Sequence, residues 1–217
     1  MKKLLLSLCL FGVISNVSSQ ELANAPKPFG PLPTQKQIDW QEMEFYAFVH
    51  FSLNTFTNKE WGYGDESPEL FNPSQLDVRQ WARIVKAAGM KGIILVAKHH
   101  DGFCMFDSKY TDYTVANEKC PYSTNPNANI ALKVFDAFRK EGLWTGAYFS
   151  KPDWHCADYW DPTFPPVDRN PNYNLNKYPA KWNEYVDFTH KQILELMRYY
   201  GKVDLLWLDG GWVQPMT

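Results

Sequence analysis

The sequence predicts an α/β fold built on a parallel β-sheet, arranged as in a (β/α)8 barrel. Apolar runs and amphipathic segments alternate along the chain, which indicates strands followed by helices. The apolar runs are nearly continuous, as is typical of parallel strands buried on both faces. The links from strand to helix are long and rich in Trp, Tyr, Asp and Asn, whereas the return links are short. In a barrel the long links lie together at one end, where the chemistry is housed.

Four apolar runs are predicted as strands. They are FYAFVHF (45–51), GIILVAKHH (92–100), WTGAYFS (144–150) and VDLLWLDG (203–210). Three amphipathic segments are predicted as helices, at 72–89, 128–142 and 180–201. In the first of these, Ser74 is the expected N-cap and Gly89 the expected end, because each residue type favours that position. The strand-to-helix links are 52–71, 101–127 and 151–179.

An open doubly wound sheet is the competing architecture. It favours a Gly-rich phosphate-binding turn after the first strand, and no such turn follows residues 45–51. The barrel is therefore preferred. Four β/α units are half of an eight-unit barrel, which takes about 250 residues. We therefore expect residues 35–217 to be the N-terminal half of the catalytic barrel of a longer protein.

Composition narrows the class of protein. The 217 residues are 45% hydrophobic and carry a net charge of −2, so the chain is globular, and no basic surface indicates nucleic-acid binding. Nine Trp and twelve Tyr are many for this length. They indicate either a hydrophobic core rich in large aromatic side chains or aromatic platforms for a ligand with apolar faces, such as a sugar.

The N-terminus has the pattern of a secretory signal. Lys2 and Lys3 precede the apolar stretch LLLSLCLFGVI, and small residues place the expected cleavage after Ser19. The signal peptide is thus 1–19, followed by a proline-rich lead-in arm at 20–34. We expect an exported protein, periplasmic or secreted, with no membrane insertion after signal removal. A lipoprotein signal would need Cys9 as the acylated residue, and Cys9 lies inside the apolar stretch with too little sequence before it.

The remaining cysteines do not form a recognisable pattern. Cys104, Cys120 and Cys156 allow one disulfide in an oxidising compartment, and no zinc-type spacing is present.

Polar side chains recur where the predicted strands end. These strand-end residues are His50, His99, His100, Tyr148, Trp207 and Asp209. Gly210 and Gly211 follow Asp209 and allow the backbone to turn away without covering the carboxylate. Asp209 alone could equally be a turn or cap residue, but four strands that end in the same way favour an active site.

The paired histidines raise a question of geometry. Adjacent residues of an ideal strand point to opposite sides, so His99 and His100 cannot both face the site unless the strand has already ended. A divalent metal could be held by four side chains together: His50, either His99 or His100, Asp101 and Asp209. The spacing that places two histidines on one face is missing, and no metal or other cofactor is expected. His155 and Cys156 are expected to be structural or to face solvent.

Without a metal, Asp209 is suited to act as a carboxylate nucleophile. In a retaining glycosidase one carboxylate attacks the anomeric carbon, and a second, about 5–5.5 Å away, protonates the departing oxygen. Neutral histidines and indole N–H groups can bind sugar hydroxyls, and aromatic faces suit the C–H face of a sugar ring.

Three stretches resemble the alpha-L-fucosidases of glycoside hydrolase family 29. They are FVHFSLNTFTNKEWGYGDE (48–66), AKHHDGFCMFDSKYTDYTV (97–115) and LLWLDGGW (205–212). Their order and spacing also fit, and the resemblance runs from about residue 35 to Thr217. It implies a retaining exo-glycosidase that removes terminal alpha-L-fucose from a glycan. It is also compatible with a homo-oligomer of the complete protein.

The resemblance also implies roles for individual residues. Asp209 is the nucleophile. The substrate-binding residues are His50, Glu60, Trp61, His99, His100, Tyr148 and Trp207. Glu60 is treated as an auxiliary carboxylate. The acid/base glutamate and the C-terminal β-sandwich of the family are absent from this chain, so the isolated 217 residues are expected to be inactive.

Two other functions remain open. A metal-dependent barrel hydrolase would favour a His-x-His on the first strand, where this sequence has a single histidine in VHF. A non-catalytic fucose-binding protein would keep the pocket and lack the acid/base group.

Overall fold

The computed structural model describes residues 27–165 and 170–213. The predicted signal peptide, 1–19, and residues 20–26 of the predicted lead-in arm lie outside the described residues.

The chain divides into two compact units, Met1–Asp39 and Trp40–Thr217. In the first unit, residues 27–34 carry no helix or strand, and a helix, α1 (Gln35–Met43), then begins and continues past Asp39. Thr34 starts this helix, since its hydroxyl accepts from the Gln37 backbone N–H while the Gln37 side chain accepts from the Thr34 N–H. Helix α1 was not predicted from the sequence.

The second unit is built on a four-stranded parallel sheet. Its strands are β1 (Ala47–Val49), β2 (Gly92–Lys98), β3 (Trp144–Ser150) and β4 (Leu205–Asp209), in the order β1-β2-β3-β4. The helices are α2 (Leu53–Thr57), α3 (Val78–Ala87), α4 (Ile130–Lys140) and α5 (Pro179–Tyr199), with 3₁₀ turns at Pro68–Leu70 and Pro121–Thr124. A doubly wound sheet reverses its strand order at a switch point, whereas a barrel keeps sequential order. The observed order is that of a barrel, as predicted.

The predicted start of the α3 segment was wrong. The helix begins at Val78, and Asp77 caps it by accepting the backbone N–H groups of Arg79 and Gln80. Ser74 therefore lies before the helix. At the other end Gly89 adopts a φ of +77°, as expected for a residue that ends a helix.

The two faces of the sheet are buried differently. On one face Ile93, Leu95 and Ala97 of β2 pack with Phe135 and Phe138 of α4 in the main hydrophobic core. This packing matters for stability, because full burial of one such side chain contributes roughly 1.5–3 kcal/mol. The opposite face carries a smaller cluster. It consists of Ile94, Val96 and Tyr148, packed against Tyr46 and Leu205.

A β-bulge at the end of β2 determines which side chains reach the site. Val96 pairs with Tyr148 and Lys98 pairs with Phe149, so Ala97 is the extra residue of β2. The bulge reverses the alternation of side chains. Lys98 consequently joins the helix side of the sheet, where its ammonium lies 4.3 Å from the centroid of the Phe149 ring.

The three cysteines of the described part of the chain, Cys104, Cys120 and Cys156, are free thiols, so the disulfide that the sequence allowed is not formed. Among the described helices, none combines the length and the apolar character that crossing a membrane requires.

Candidate active site

Asp209 lies at the carboxyl end of β4, and both of its carboxylate oxygens are held. Oδ2 accepts a hydrogen bond of 2.6 Å from the Tyr148 hydroxyl on the neighbouring strand β3. Oδ1 accepts one of 2.6 Å from the Gly210 backbone N–H. The side chain of Asp209 is nevertheless 39% exposed. The carboxylate is thus fixed in orientation and open to solvent.

Tyr148 acts as a donor in this pair. Burial, followed by the hydrogen bond to Asp209, raises the pKa of its phenol well above the usual range. The hydroxyl therefore keeps its proton at neutral pH and points it at the Asp209 carboxylate.

Gly210 makes the turn that leaves Asp209 uncovered. Its φ is +84°, and a Cβ at this position would lie 2.3 Å from Cδ of Pro152. Only glycine fits both conditions. Gly211 meets neither condition, because a Cβ there would contact nothing within 4 Å. The expectation that both glycines serve the turn therefore holds for Gly210 alone.

His100 approaches the same carboxylate from the loop after β2. Its Nε2 lies 3.8 Å from Oδ2 of Asp209, and the ring is buried. Its Nδ1 bonds to the Ser150 hydroxyl, which itself donates to the Pro152 carbonyl at 3.1 Å. Since a hydroxyl has one proton to give, Nδ1 of His100 carries a hydrogen and Nε2 faces Asp209.

His99 and His50 form the other side of the site. The rings of His99 and His100 stack at 4.3 Å between centroids, and the His50 ring lies 4.3 Å from that of His99. Strand β2 ends at Lys98, before His99 and His100. Strand alternation therefore does not apply to this pair, and both histidines contact the site. Behind them, the Ser52 hydroxyl lies 3.3 Å from Nε2 of His50.

His99 and His50 are both neutral at physiological pH. Burial, then the nearby charges of His100 and His50, lowers the pKa of His99 to about 2. Partial burial lowers the pKa of His50. A neutral imidazole offers one hydrogen-bond donor and one acceptor, which suits a hydroxyl ligand.

Aromatic rings surround His100. The centroid of its ring lies 5.4 Å from those of Trp154 and Trp212 and 6.1 Å from that of Trp61. A pocket of about 370 Å³ adjoins these rings. It is lined by Lys59, Glu60, Trp61, Gly62, Tyr63, Trp154 and Trp160. Glu60 is exposed and lines this pocket together with Trp61, whose ring contacts His100.

Trp207 lies on β4 two residues before Asp209. Its ring lies 5.7 Å from that of Phe48, which in turn lies 5.7 Å from the ring of Tyr148, and Trp207 is 37% exposed. Trp207 therefore reaches the other site residues through Phe48 and Tyr148.

Six of the predicted residues are thus joined by direct contacts: His50, Trp61, His99, His100, Tyr148 and Asp209. Sequence reasoning missed several residues that hold them in place. They are Ser52, Asn54, Ser150, Trp154 and Trp212. Trp212 follows the Asp-Gly-Gly turn directly, so its position was a usable signal. Ser150 ends β3, and Ser52, Asn54 and Trp154 lie on the predicted links 52–71 and 151–179, whose course depends on tertiary packing.

His155 is structural, as expected. Its ring stacks on that of Tyr113 at 3.9 Å, and its Nδ1 lies 2.6 Å from the Gly64 carbonyl oxygen.

Within residues 27–165 and 170–213, no group of three or more His, Cys, Asp or Glu side chains is arranged to hold a metal ion. A larger cavity of about 620 Å³ is lined by residues of α3 and α4 and their flanking loops, not by the strand ends, and holds none of the predicted site residues.

A sequentially ordered parallel β/α sheet with a carboxylate, histidines and aromatic rings at the carboxyl ends of its strands defines an enzyme of the β/α-barrel class. The family model described as alpha-L-fucosidase matches residues 11–217. The chain belongs to the alpha-L-fucosidase family, and the resemblance stated from its motifs is confirmed.

Individual relatives agree with the family. Alpha-L-fucosidase 1 of Arabidopsis thaliana is 37% identical over 197 residues, covering 91% of this chain and 34% of that protein. A glycoside hydrolase 29 member from an unknown rumen bacterium is 45% identical with a TM-score of 0.68, covering 85% of this chain and 29% of that one. These neighbours confirm the barrel fold class. The chain spans about a third of the length of the curated relatives that it matches.

A second structure shows chemistry in a relative. It is an alpha-L-fucosidase from Bacteroides thetaiotaomicron, trapped as a covalent intermediate with 2-fluoro-fucosyl fluoride in a glutamate-to-glutamine mutant. It is 28% identical, with a TM-score of 0.66, and covers 85% of this chain and 43% of that one.

Proposed function

We propose that this chain is the part of a retaining alpha-L-fucosidase that carries the nucleophile, Asp209, and most of the fucose-binding groups. The proposal rests chiefly on one observation. Asp209 is a solvent-reachable carboxylate whose two oxygens are held by Tyr148 and Gly210 at the active-site end of the sheet.

The reaction takes two displacements. In the first, an Asp209 oxygen bonds to C1 of fucose while the bond from C1 to the leaving oxygen breaks, and a general acid protonates that oxygen. In the second, the conjugate base of that general acid takes a proton from water. The water oxygen bonds to C1 while the bond from C1 to the Asp209 oxygen breaks, which releases Asp209. The family resemblance assigns this acid/base role to a glutamate outside these 217 residues. The trapped intermediate of the Bacteroides thetaiotaomicron relative supports a covalent route.

Tyr148 keeps the attacking carboxylate in place. Its hydroxyl donates to Oδ2, so the carboxylate cannot rotate freely and the reacting atoms stay aligned. As the covalent bond forms, the negative charge on Asp209 decreases, and the hydrogen bond weakens with it. Tyr148 therefore positions the nucleophile more than it activates it.

His50, His99, His100 and Trp61 are proposed to bind the hydroxyl groups of fucose. The three histidine rings form a contiguous polar surface next to Asp209, and the Trp61 ring packs against His100. Hydrogen bonds that tighten as the ring flattens toward an oxocarbenium-like transition state would raise the rate of the chemical step. Trp207 and Phe48 are proposed as an apolar wall beside them.

The substrate is proposed to be a glycan with terminal alpha-L-fucose, and the protein is proposed to be exported. Export rests on the signal pattern of residues 1–19. N-terminal sequencing of the mature protein checks it, with Gln20 as the expected first residue.

The test of function is release of nitrophenol from p-nitrophenyl alpha-L-fucoside by the full-length protein, with and without EDTA. Asp209→Gly is compared with Asp187→Asn, which removes an exposed carboxylate on α5. We expect EDTA-resistant turnover in the wild type and in the Asp187 variant, and a loss of several orders of magnitude in the Asp209 variant. Azide should restore part of that activity, because a small anion can replace the missing carboxylate.

Two results would overturn the proposal. Near-normal turnover by the Asp209 variant would remove this residue from the nucleophile role. Sugar binding without turnover by the folded wild-type protein would favour a non-catalytic fucose-binding protein.

A further inference from the structure

The aromatic pocket of about 370 Å³ lies beside the place where the nucleophile acts, not at it. Its lining residues come from two links, 52–71 and 151–179, and none of the strand-end residues is among them. The volume falls within the range of about 300–1,000 Å³ that is usual for small-molecule sites. The pocket is therefore large enough to hold a ligand group of its own.

The pocket shares two of its walls with the candidate active site. The rings of Trp61 and Trp154 line the pocket, and their centroids lie 6.1 Å and 5.4 Å from that of His100. Nε2 of His100 in turn lies 3.8 Å from Oδ2 of Asp209. The pocket consequently opens next to the proposed fucose-binding surface, within reach of a group that is attached to fucose.

Three indole rings give the pocket a concave apolar corner. The ring of Trp154 lies 6.1 Å from that of Trp61 at an angle of 64°, and 5.7 Å from that of Trp160 at an angle of 72°. Trp160 is half-buried, and the exposed ring of Tyr63 lies at the edge of the pocket. Indole faces suit the C–H face of a sugar ring, so the corner favours a pyranose.

The polar groups of the pocket favour an uncharged sugar. Of the described residues that line it, Lys59 and Glu60 carry charge, and their charges cancel. Both side chains are exposed, and Lys59 lies 3.9 Å from the buried carboxylate of Glu66. One donor and one acceptor beside aromatic faces are suited to hydroxyl groups.

The first wall of the pocket is held by Glu66. Its carboxylate accepts the backbone N–H of Tyr63 at 2.8 Å and that of Gly64 at 3.0 Å. The Tyr113 hydroxyl donates to the Glu66 carbonyl oxygen at 2.9 Å. These bonds fix the turn that directly follows Trp61.

The second wall is held by buried groups of the link after β3. Oδ1 of Asp153 accepts the backbone N–H groups of His155 and Cys156, at 3.1 Å and 2.9 Å. The backbone N–H of Trp160 donates to the Cys156 carbonyl oxygen at 2.9 Å. The neighbouring residue, Tyr159, is fully buried, and its ring packs 4.8 Å from that of Tyr185 on α5.

The two walls also contact each other. Nδ1 of His155 lies 2.6 Å from the Gly64 carbonyl oxygen, and a Cβ on Gly64 would lie 2.6 Å from the backbone nitrogen of His155. The shape of the pocket is thus set by contacts within the chain. A preformed pocket binds a ligand without first having to order its own loops.

We propose that this pocket is the subsite for the sugar residue to which fucose is attached, and that Trp160 is its specificity-determining residue. The ligand is an uncharged pyranose whose C–H face stacks on the indole. This assignment rests on the proposed function, because it takes the departing sugar to lie beside Asp209. Trp160 packs on Trp154 and is one ring further from His100, so its replacement changes the pocket and leaves the fucose-binding side chains in place.

The first test compares leaving groups that fill the pocket with one that does not. The substrates are the two fucosyllactose isomers, with fucose on the galactose or on the glucose, and alpha-L-fucosyl fluoride. We expect Trp160→Ala in the full-length protein to lower kcat/KM for the better isomer about tenfold, the worth of one aromatic stacking contact, and to leave kcat/KM for the fluoride unchanged.

Two further variants control this comparison. Tyr199→Ala removes an aromatic ring of α5 that is 66% exposed, and it should change neither substrate. Trp160→Phe keeps a smaller ring and should show a smaller loss on the trisaccharide, which preserves the test if the alanine variant does not fold. Equal losses on trisaccharide and fluoride, or no loss on either, would overturn the proposal.

The second test does not depend on turnover. The full-length protein is labelled with 5-fluorotryptophan, and its ¹⁹F spectrum is recorded as lactose, which contains no fucose, is added. We expect the Trp160 signal, assigned with Trp160→Phe, to shift in the wild type and in Tyr199→Ala. An unshifted Trp160 signal up to the solubility limit of lactose would contradict the subsite.

The two tests separate the subsite from the proposed function. Absence of turnover on all three substrates, with the lactose shift intact, would count against the fucosidase and not against a sugar-binding pocket. Turnover of the fluoride alone, without a lactose shift, would count against the subsite and leave the fucosidase standing.

Discussion

Lys98 offers the sharpest test of how the site is supported. Its side chain is fully buried on the helix side of the sheet, placed there by the bulge at Ala97. Nζ bonds to Oδ2 of Asp153 at 2.9 Å and to Oε1 of Gln192 at 3.2 Å. Asp153 also accepts the backbone N–H groups that shape the loop after β3.

Replacing Lys98 by Met removes the charge and keeps most of the volume. At 2.9 Å and an effective dielectric of about 20, the direct attraction of such a pair is about 6 kcal/mol, and desolvation offsets a large part of it. The lost partner leaves Asp153 charged and buried, which typically costs about 3–5 kcal/mol of the free energy of unfolding. We expect Lys98→Met and Asp153→Asn each to fall in this range.

The double variant distinguishes pairing from general disruption. Lys98→Met together with Asp153→Asn buries no unpaired charge, so its cost should be clearly smaller than the sum of the two single costs. The assay is urea unfolding of the full-length protein, with peptide-resolved hydrogen exchange to locate the effect at β2 and the loop after β3. Additive costs in the double variant would refute the reasoning, because they would show that the two charges do not depend on each other.

Three further predictions concern the site itself. Gly210→Ala should destabilise the protein by about 1–3 kcal/mol through its positive φ and the contact with Pro152, whereas Gly211→Ala should be neutral. Thermal unfolding of both variants measures this, and equal effects would contradict it. Tyr148→Phe should lower kcat/KM for an aryl fucoside about 10–100-fold with little change in Tm, because the Asp209 carboxylate is no longer held in line with C1, and unchanged kinetics would show that the bond to Asp209 does not position the nucleophile. Asp101 has a pKa that burial raises from 3.8 to about 7, so its contribution to stability is complete below about pH 4 and is lost as the pH rises to 7, at up to about 1.4 kcal/mol per pH unit. Asp101→Asn should remove this slope in denaturation curves measured from pH 4 to pH 8, and an identical slope in the variant would count against it.

The order of elements could be predicted from the sequence because it depends on local pattern. Strand β3 occupies 144–150 as predicted, since the apolar run is bounded by Gly142 before it and by a Lys-Pro pair after it. The start of α3 could not be placed, because Ser74 and Asp77 are both good capping residues and only the packing of the helix chooses between them.

The site could be predicted in part. A carboxylate at the end of β4 and histidines at the ends of β1 and β2 follow from barrel geometry, so Asp209, His50 and the histidine pair were predicted correctly as neighbours. The bulge at Ala97 depends on the register between β2 and β3, which no local pattern encodes. The contact between Asn54 and His99 joins residues 45 positions apart, so no local pattern could have predicted it either.

The most direct test of the central claim is to identify the carboxylate that bonds to the sugar. The full-length protein is incubated with 2-fluoro-fucosyl fluoride, the compound that trapped the Bacteroides thetaiotaomicron relative. It is then digested, and the labelled peptide is sequenced by mass spectrometry. We predict a fluorofucosyl group on Asp209. A label on Glu60 or on any other carboxylate would contradict the assignment of the nucleophile.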